Sequence, residues 1–122
     1  MIMYILILIL VLLLLSKRNS IESFQNSLLS IEKAKQMIKD GEIDVIVDVR
    51  TKMEWRRGHH PKAIHIPFGS LQNHDFDNYK DKTFLLYCRT GTRARMAMEE
   101  IKDKVKRVYY INEGYKKLLE DN

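Results

Sequence analysis

The sequence predicts an α/β domain with a parallel sheet and helices on both of its faces, preceded by an apolar N-terminal segment. From about residue 30 onward, short β-branched or aromatic runs alternate with amphipathic helical patterns. The run at 43–49, Ile-Asp-Val-Ile-Val-Asp-Val, is typical of a strand that is buried on both faces. Residues 1–15 are apolar without interruption, and a polar stretch separates them from the rest.

Length and charge limit what the chain can be. Its 122 residues divide into an apolar segment at 1–15, a linker at 16–27 and one domain at 28–122, which is large enough for a single core. The net charge is +5, but the 21 basic residues are interleaved with 16 acidic ones, so we expect no nucleic-acid partner. The single cysteine excludes an intramolecular disulfide.

The apolar segment is predicted to be a transmembrane anchor. Lys17 and Arg18 follow it and no basic residue precedes it, which orients the domain toward the cytoplasm. At helical rise, fifteen residues reach only about 22 Å, so local thinning of the bilayer and snorkelling of these two side chains would have to complete the span. The alternative is a cleaved signal peptide and an exported or periplasmic domain, although the segment has no small-residue cleavage pattern.

The first half of the domain begins with a helix. Ser30 is placed to cap a helix that extends to Lys39 with an apolar face, and Gly41 stands just past its end. The strand at 43–49 follows, and the polar residues 50–58 are predicted to form a helical turn that Gly58 closes.

The second half repeats this alternation. Its predicted elements are a loop at 59–62, a short strand at 63–67, a weakly helical stretch at 71–79, a strand at 83–87, a helix at 93–105, a strand at 108–111 and a helix at 115–120. Ligands of parallel sheets bind beyond the carboxyl ends of the strands, and Cys88 stands at such an end.

The loop after the strand at 83–87 has the composition of an anion-binding nest. Gly91 permits a turn in which successive N–H groups point inward, and the helix that follows adds partial positive charge. Arg89 and Arg93 contribute full charges. These features favour a nucleophilic thiolate at Cys88 in a cradle for small anions.

Four stretches, taken in order, resemble the rhodanese family of sulfurtransferases. They are Val47-Asp48-Val49-Arg50 with Glu54-Trp55 and Gly58-His59, then Ala63-Ile64-His65-Ile66-Pro67, then Tyr87-Cys88-Arg89-Thr90-Gly91-Thr92-Arg93-Ala94, and finally Val108-Tyr109-Tyr110-Ile111-Asn112-Glu113-Gly114. The sequence departs from the family pattern in three places. His60 stands where isoleucine is common, Glu113 where glycine is usual and Leu118 where tryptophan often occurs.

The resemblance implies a double-displacement reaction. Cys88 would take the outer sulfur of thiosulfate or of a persulfide donor, and a thiol or cyanide would then remove that sulfur. Arg89, Thr90, Gly91, Thr92 and Arg93 would bind the persulfide and the donor's oxyanion. The implied reaction needs no metal or organic cofactor.

Asp48, Arg50 and His59 are interpreted as structural residues beside the site rather than as acids or bases. Two other functions remain open. A cysteine phosphatase also uses a thiolate in a loop before a helix, but four residues separate Cys88 from Arg93, whereas that class has five. A non-catalytic binding or persulfide-sensing module is the principal alternative.

Overall fold

The computed structural model describes residues 1–25 and 27–121. Helix α1 (Ile2–Gln25) contains the apolar run and continues through most of the predicted linker. Its first fifteen residues all have exposed side chains. Within the described ranges, no helix combines the length and the apolar character needed to cross a membrane, so the predicted transmembrane anchor at 1–15 is not supported. Residue 26 of the linker and residue 122 of the domain lie outside the described residues.

The remaining elements alternate as predicted. They are α2 (Ile31–Lys39), β1 (Val45–Asp48), α3 (Lys52–Arg57), β2 (Ala63–His65), two 3₁₀ helices (Phe68–Asn73 and Asp77–Tyr79), β3 (Thr83–Tyr87), α4 (Thr92–Ile101), β4 (Arg107–Tyr110) and α5 (Lys116–Leu119). The four strands form one sheet in the order β2-β1-β3-β4, and every pairing is parallel. The chain before α2 extends the sheet by one bridge, from Leu28 to Tyr110.

Both faces of the sheet are covered, because alternate residues of β3 enter different cores. Phe84 and Leu86 pack with α4 and the 3₁₀ helices, and they share this core with Cys88. Leu85 and Tyr87 point to the other face, where residues of α2 and α5 cover them. The predicted parallel sheet with helices on both faces is therefore confirmed for the domain.

Side-chain caps fix where the helices begin. The Ser30 hydroxyl accepts a hydrogen bond from the Lys33 N–H, as the sequence predicts. Thr51 and Glu54 form a capping box at the start of α3, and Gly58 ends that helix with a φ of 145°. Residues within or next to α3 therefore fix both of its ends, which explains how a helix of only six residues forms there.

The largest difference between a predicted and an observed boundary lies at the end of α4. The helix predicted for 93–105 ends at Ile101, and residues 102–106 form turns and bends instead of its last turn. The side chain of Val105 is buried in the core, and the Lys106 N–H bonds to the Lys82 carbonyl at the start of the sheet. Helical periodicity continued through this stretch, but tertiary contacts direct the chain into β4.

Candidate active site

Cys88 directly follows β3 at the carboxyl edge of the sheet. Its side chain is only 1% exposed and belongs to the core beneath α4. The sulfur accepts the backbone N–H of Gly91 at 3.0 Å and that of Ala94 at 3.4 Å. Two backbone dipoles thus point at one sulfur, and the N-terminus of α4 adds its own partial positive charge. This arrangement stabilises negative charge on the Cys88 sulfur.

Gly91 makes the turn between Cys88 and α4. Its φ is +97°, a backbone conformation that side chains with a Cβ rarely adopt. A Cβ atom at this position would lie 2.7 Å from the Cα of Asn112 in the loop after β4. The glycine therefore serves two requirements at once, the left-handed turn and the close approach of a second loop.

Arg93 lies on the first turn of α4 and binds Glu54 of α3. The Arg93 Nη1 and Nη2 groups donate to the two carboxylate oxygens of Glu54 at 2.6 and 3.0 Å. The hydrogen bonds from Arg93, with further ones from Thr51, lower the pKa of Glu54 to about 2. The guanidinium that the sequence assigned to the donor's oxyanion thus already has an internal carboxylate partner.

The other three loop residues assigned to substrate binding form the outer surface of the site. Arg89, Thr90 and Thr92 are exposed, in contrast to Cys88 and Gly91, which are buried. In the described part of the chain, the Cys88 sulfur receives hydrogen bonds from Gly91 and Ala94 only. Arg89 is therefore the loop cation that faces solvent.

Asp48 and Arg50 form a clamp beside the site. The Arg50 Nε and Nη2 groups donate to the fully buried Asp48 carboxylate at 2.7–3.0 Å, and Nη2 also donates to the Gly58 carbonyl at 2.7 Å. The guanidinium lies over the rings of Tyr87 and Tyr115, at 5.6 and 5.1 Å from their centroids. The clamp joins the ends of β1 and β3 to α3 and α5.

His59 is part of an aromatic stack. Its ring lies 3.3 Å from that of Trp55, with an interplanar angle of 3°, and His65 stacks on the same indole at 4.8 Å. The His59 Nδ1 hydrogen-bonds with the Trp55 carbonyl, and the His65 Nε2 with the Arg50 carbonyl. The rings of His59 and Trp55 are thus held by packing and hydrogen bonds, and the structural role of His59 stays a prediction.

His60 is a buried residue that the sequence analysis noted only as a departure from the family pattern. Its side chain is 4% exposed, its backbone N–H donates to the Tyr87 hydroxyl at 3.1 Å, and its Nδ1 accepts the Lys62 N–H at 3.0 Å. Burial, with the charge of Lys62 adding to it, lowers the pKa of His60. The folded chain therefore favours the neutral imidazole, whose Nδ1 accepts the Lys62 N–H, and protonation would remove that acceptor.

A pH dependence of stability follows from His60. Because its pKa is lower in the folded chain, its contribution is complete above the unfolded value of about 6.5 and is lost as the pH falls below that. We expect the melting temperature of the wild type to drop more between pH 7.5 and 5.5 than that of His60→Asn, whose amide oxygen can still accept the Lys62 N–H. Thermal unfolding at both pH values measures this difference. Equal drops would show that His60 does not titrate with folding.

The contacts between these residues were not predictable from the patterns that identified them. Glu54 was noted as part of a motif, although its spacing from Thr51 is that of a capping box and could have revealed its role. Asn112 was noted only as part of a motif, and Tyr115 gave no signal, because their contacts at the site depend on how α5 and the loop after β4 fold back. No group of three or more His, Cys, Asp or Glu side chains suited to a metal ion occurs among residues 1–25 and 27–121.

The comparisons with known proteins agree with this geometry. The family model of the rhodanese-like domain matches residues 30–121, which are most of the chain. The chain belongs to this family. A sulfurtransferase from Allochromatium vinosum is 28% identical over 88 residues, which cover 72% of this chain and 74% of that protein. The human single-domain sulfurtransferase TSTD1 has the same fold, with a TM-score of 0.66 at 17% identity over 79% of this chain and 97% of that one.

Not every relative is a single rhodanese-like domain. The putative sulfur carrier protein YrkF of Bacillus subtilis is 28% identical over 91 residues, 75% of this chain. The matched region is only 44% of that protein's length, so the relative contains a large part with no counterpart in the match. The family assignment therefore applies to residues 30–121, and the activity of the chain has to be argued from its own site.

Proposed function

We propose that the protein is a rhodanese-type sulfurtransferase. Cys88 takes sulfane sulfur from thiosulfate or a persulfide donor and passes it to a thiol or cyanide. The observation that carries this proposal is the pair of N–H groups, from Gly91 and Ala94, that point at the Cys88 sulfur. A persulfide retains negative charge, and these donors at a helix N-terminus suit that charge.

The reaction consists of two displacements. The Cys88 thiolate attacks the outer sulfur of thiosulfate, a new S–S bond forms, and sulfite leaves with the electrons of the bond that breaks. The acceptor then attacks the outer sulfur of the persulfide, and the electrons of the second broken bond return to Cys88 as a thiolate. Both steps balance without an external oxidant or reductant.

Burial limits what can reach the nucleophile. With 1% of its side chain exposed, Cys88 is accessible only to a slender group such as the terminal sulfur of a donor. A phosphate ester would need space for four oxygens, while only four residues separate Cys88 from Arg93 and the latter is paired with Glu54. The geometry supports sulfur transfer over phosphoryl transfer.

Intact-mass spectrometry after incubation with thiosulfate tests the proposal. We expect the wild type to gain one sulfur, about 32 Da, and to lose it again on addition of cyanide, because the persulfide is a reversible intermediate. Cys88→Ser retains the size of the side chain and should remain unmodified. A folded wild-type protein that gains no sulfur from thiosulfate or from a small persulfide would contradict the proposal and favour a binding module.

A further inference from the structure

The edge of the sheet that carries Cys88 is strongly basic. We define this catalytic edge as the segments that follow β1, β3 and β4, residues 49–58, 88–95 and 111–117. Contacts join them, since Arg93 binds Glu54 and both Gly58 and Gly91 lie against the third segment. Seven exposed basic side chains lie on these segments. Lys117 pairs with Glu120, and the other six are here called the basic rim: Lys52, Arg56, Arg57, Arg89, Arg95 and Lys116.

The acidic residues of the catalytic edge leave this charge uncompensated. The Asp48 carboxylate at the end of β1 is fully buried by Arg50, and Glu54 is bound to Arg93. Glu113 is the exposed acid of these segments. In the part of the chain that the structure describes, no member of the basic rim forms an ion pair.

The opposite edge of the sheet is mixed in sign. Because the strands are parallel, β3 and β4 both begin at this edge, and the loops that lead into them lie there. Exposed acids and bases alternate along these loops: Asp75, Asp77 and Asp103 stand among Lys80, Lys104 and Lys106. The positive charge of the chain is therefore concentrated around the reactive sulfur, where it attracts an anionic partner and raises its association rate.

Aromatic side chains at the catalytic edge indicate which anionic partner fits. Recognition of single-stranded nucleic acid relies on exposed aromatic rings that stack with bases. Here Trp55 already stacks with two imidazoles, and the rings of Tyr87 and Tyr115 lie against the Arg50 guanidinium. Among the residues that the structure describes at this edge, the rim thus offers cations while the aromatic rings named above are already stacked or covered, which favours the carboxylates of a protein over an RNA.

We propose that the basic rim docks an acidic protein surface that surrounds the thiol to which Cys88 delivers its sulfur. This inference rests on the proposed sulfurtransferase activity and names its acceptor class. The acceptor thiolate attacks the outer sulfur of the Cys88 persulfide and forms a new S–S bond. The bond to the Cys88 sulfur breaks, its electrons remain there as a thiolate, and the acceptor's proton goes to solvent.

The test uses the full-length protein loaded with persulfide at Cys88 and three acceptor peptides. Each peptide has one cysteine, which is flanked by glutamates in the first, glutamines in the second and lysines in the third. Loading is checked first by mass, so a failure of the sulfurtransferase activity is recognised before any peptide is added. Each peptide's intrinsic thiol reactivity, measured with a small neutral disulfide, normalises its rate. At about 0.02 M salt we expect the glutamate peptide to react about 10- to 100-fold faster than the glutamine peptide, and the advantage to shrink at about 0.5 M.

Matched variants locate the effect. The combined change Lys52→Gln, Arg56→Gln and Arg57→Gln should reduce the glutamate-to-glutamine rate ratio severalfold. Lys80→Gln, Lys104→Gln and Lys106→Gln remove the same charge from the opposite edge and should leave the ratio unchanged. A loaded protein that does not distinguish the peptides, or equal losses in both variants, would overturn the proposal. An oligouridylate of matched charge that inhibits more strongly than polyglutamate would replace the protein partner with a nucleic acid.

Discussion

Gly91→Ala is expected to destabilise the domain by about 3 kcal/mol. A left-handed backbone conformation costs an L-residue about 1–2 kcal/mol, and overpacking against a fixed neighbour adds about 1–3 kcal/mol. Both apply, since the φ of Gly91 is +97° and its added Cβ would lie 2.7 Å from the Asn112 Cα. Domains are typically stable by about 5–15 kcal/mol, so urea denaturation should detect the loss readily. Shortening Asn112 would remove the contact with its side-chain oxygen but would not fully restore stability, because the added Cβ also clashes with the Asn112 Cα.

Substitutions at two other glycines distinguish the cost of the left-handed conformation from the cost of the clash. Gly41 has a φ of +75° but no atom within 4 Å of an added Cβ, so Gly41→Ala should reveal the cost of the conformation alone. Gly69 has neither constraint, and Gly69→Ala should change stability by less than about 0.5 kcal/mol. If Gly91→Ala cost no more than Gly41→Ala, the contact with Asn112 would not be as close as the structure places it.

The fold was predictable because each layer of the domain carries a local signal. The strand predicted at 83–87 coincides with β3, and the ends of α2 appear in the sequence as its N-cap Ser30 and as Gly41, which directly follows the C-cap Asp40. The helix predicted to reach 105 was too long because periodicity cannot register the burial of Val105. Local patterns identify elements, whereas the points at which they end depend on contacts between distant residues.

The site was predictable to a lesser extent. The order of strand, cysteine, glycine and helix was sufficient to place Cys88 and Gly91 together, because these residues are close in sequence. The partner of Arg93 was not predictable in this way, since Glu54 is 39 positions away and reaches it only through the position of α3. The sequence thus predicted the turn at Gly91 next to Cys88 but not the ion pair of Arg93, and the roles of Cys88 and Arg93 in catalysis stay predictions.

The Glu54–Arg93 ion pair should make the stability of the domain depend on pH in the acid range. The pKa of Glu54 is lowered to about 2, so its contribution to stability is complete above the unfolded value of 4.5 and disappears as the pH falls toward 2. We expect Glu54→Gln to be less stable than the wild type at pH 6 and to approach it near pH 2. Urea denaturation across this range measures the difference. A constant difference at all pH values would mean that the lost hydrogen bonds matter but the charge does not.

The same substitution should change how the site receives an anion. In Glu54→Gln the carboxylate that neutralises Arg93 is gone, and the guanidinium can bind a dianionic donor near Cys88. We expect the KM for thiosulfate to fall about three- to tenfold, because a charge-assisted hydrogen bond is worth about 1.5–3 kcal/mol and is partly offset by solvent at this half-exposed position.

Glu113→Gln is the matched control for this effect. It removes one exposed negative charge from the same edge without releasing Arg93. If the long-range field alone governed donor binding, both variants would lower the KM equally and both effects would fade with salt. A decrease confined to Glu54→Gln would instead identify Arg93 as a cation that Glu54 withholds from the donor. Thiosulfate would then be a poorer donor for the wild type than for this variant, because its charge must compete with an internal carboxylate.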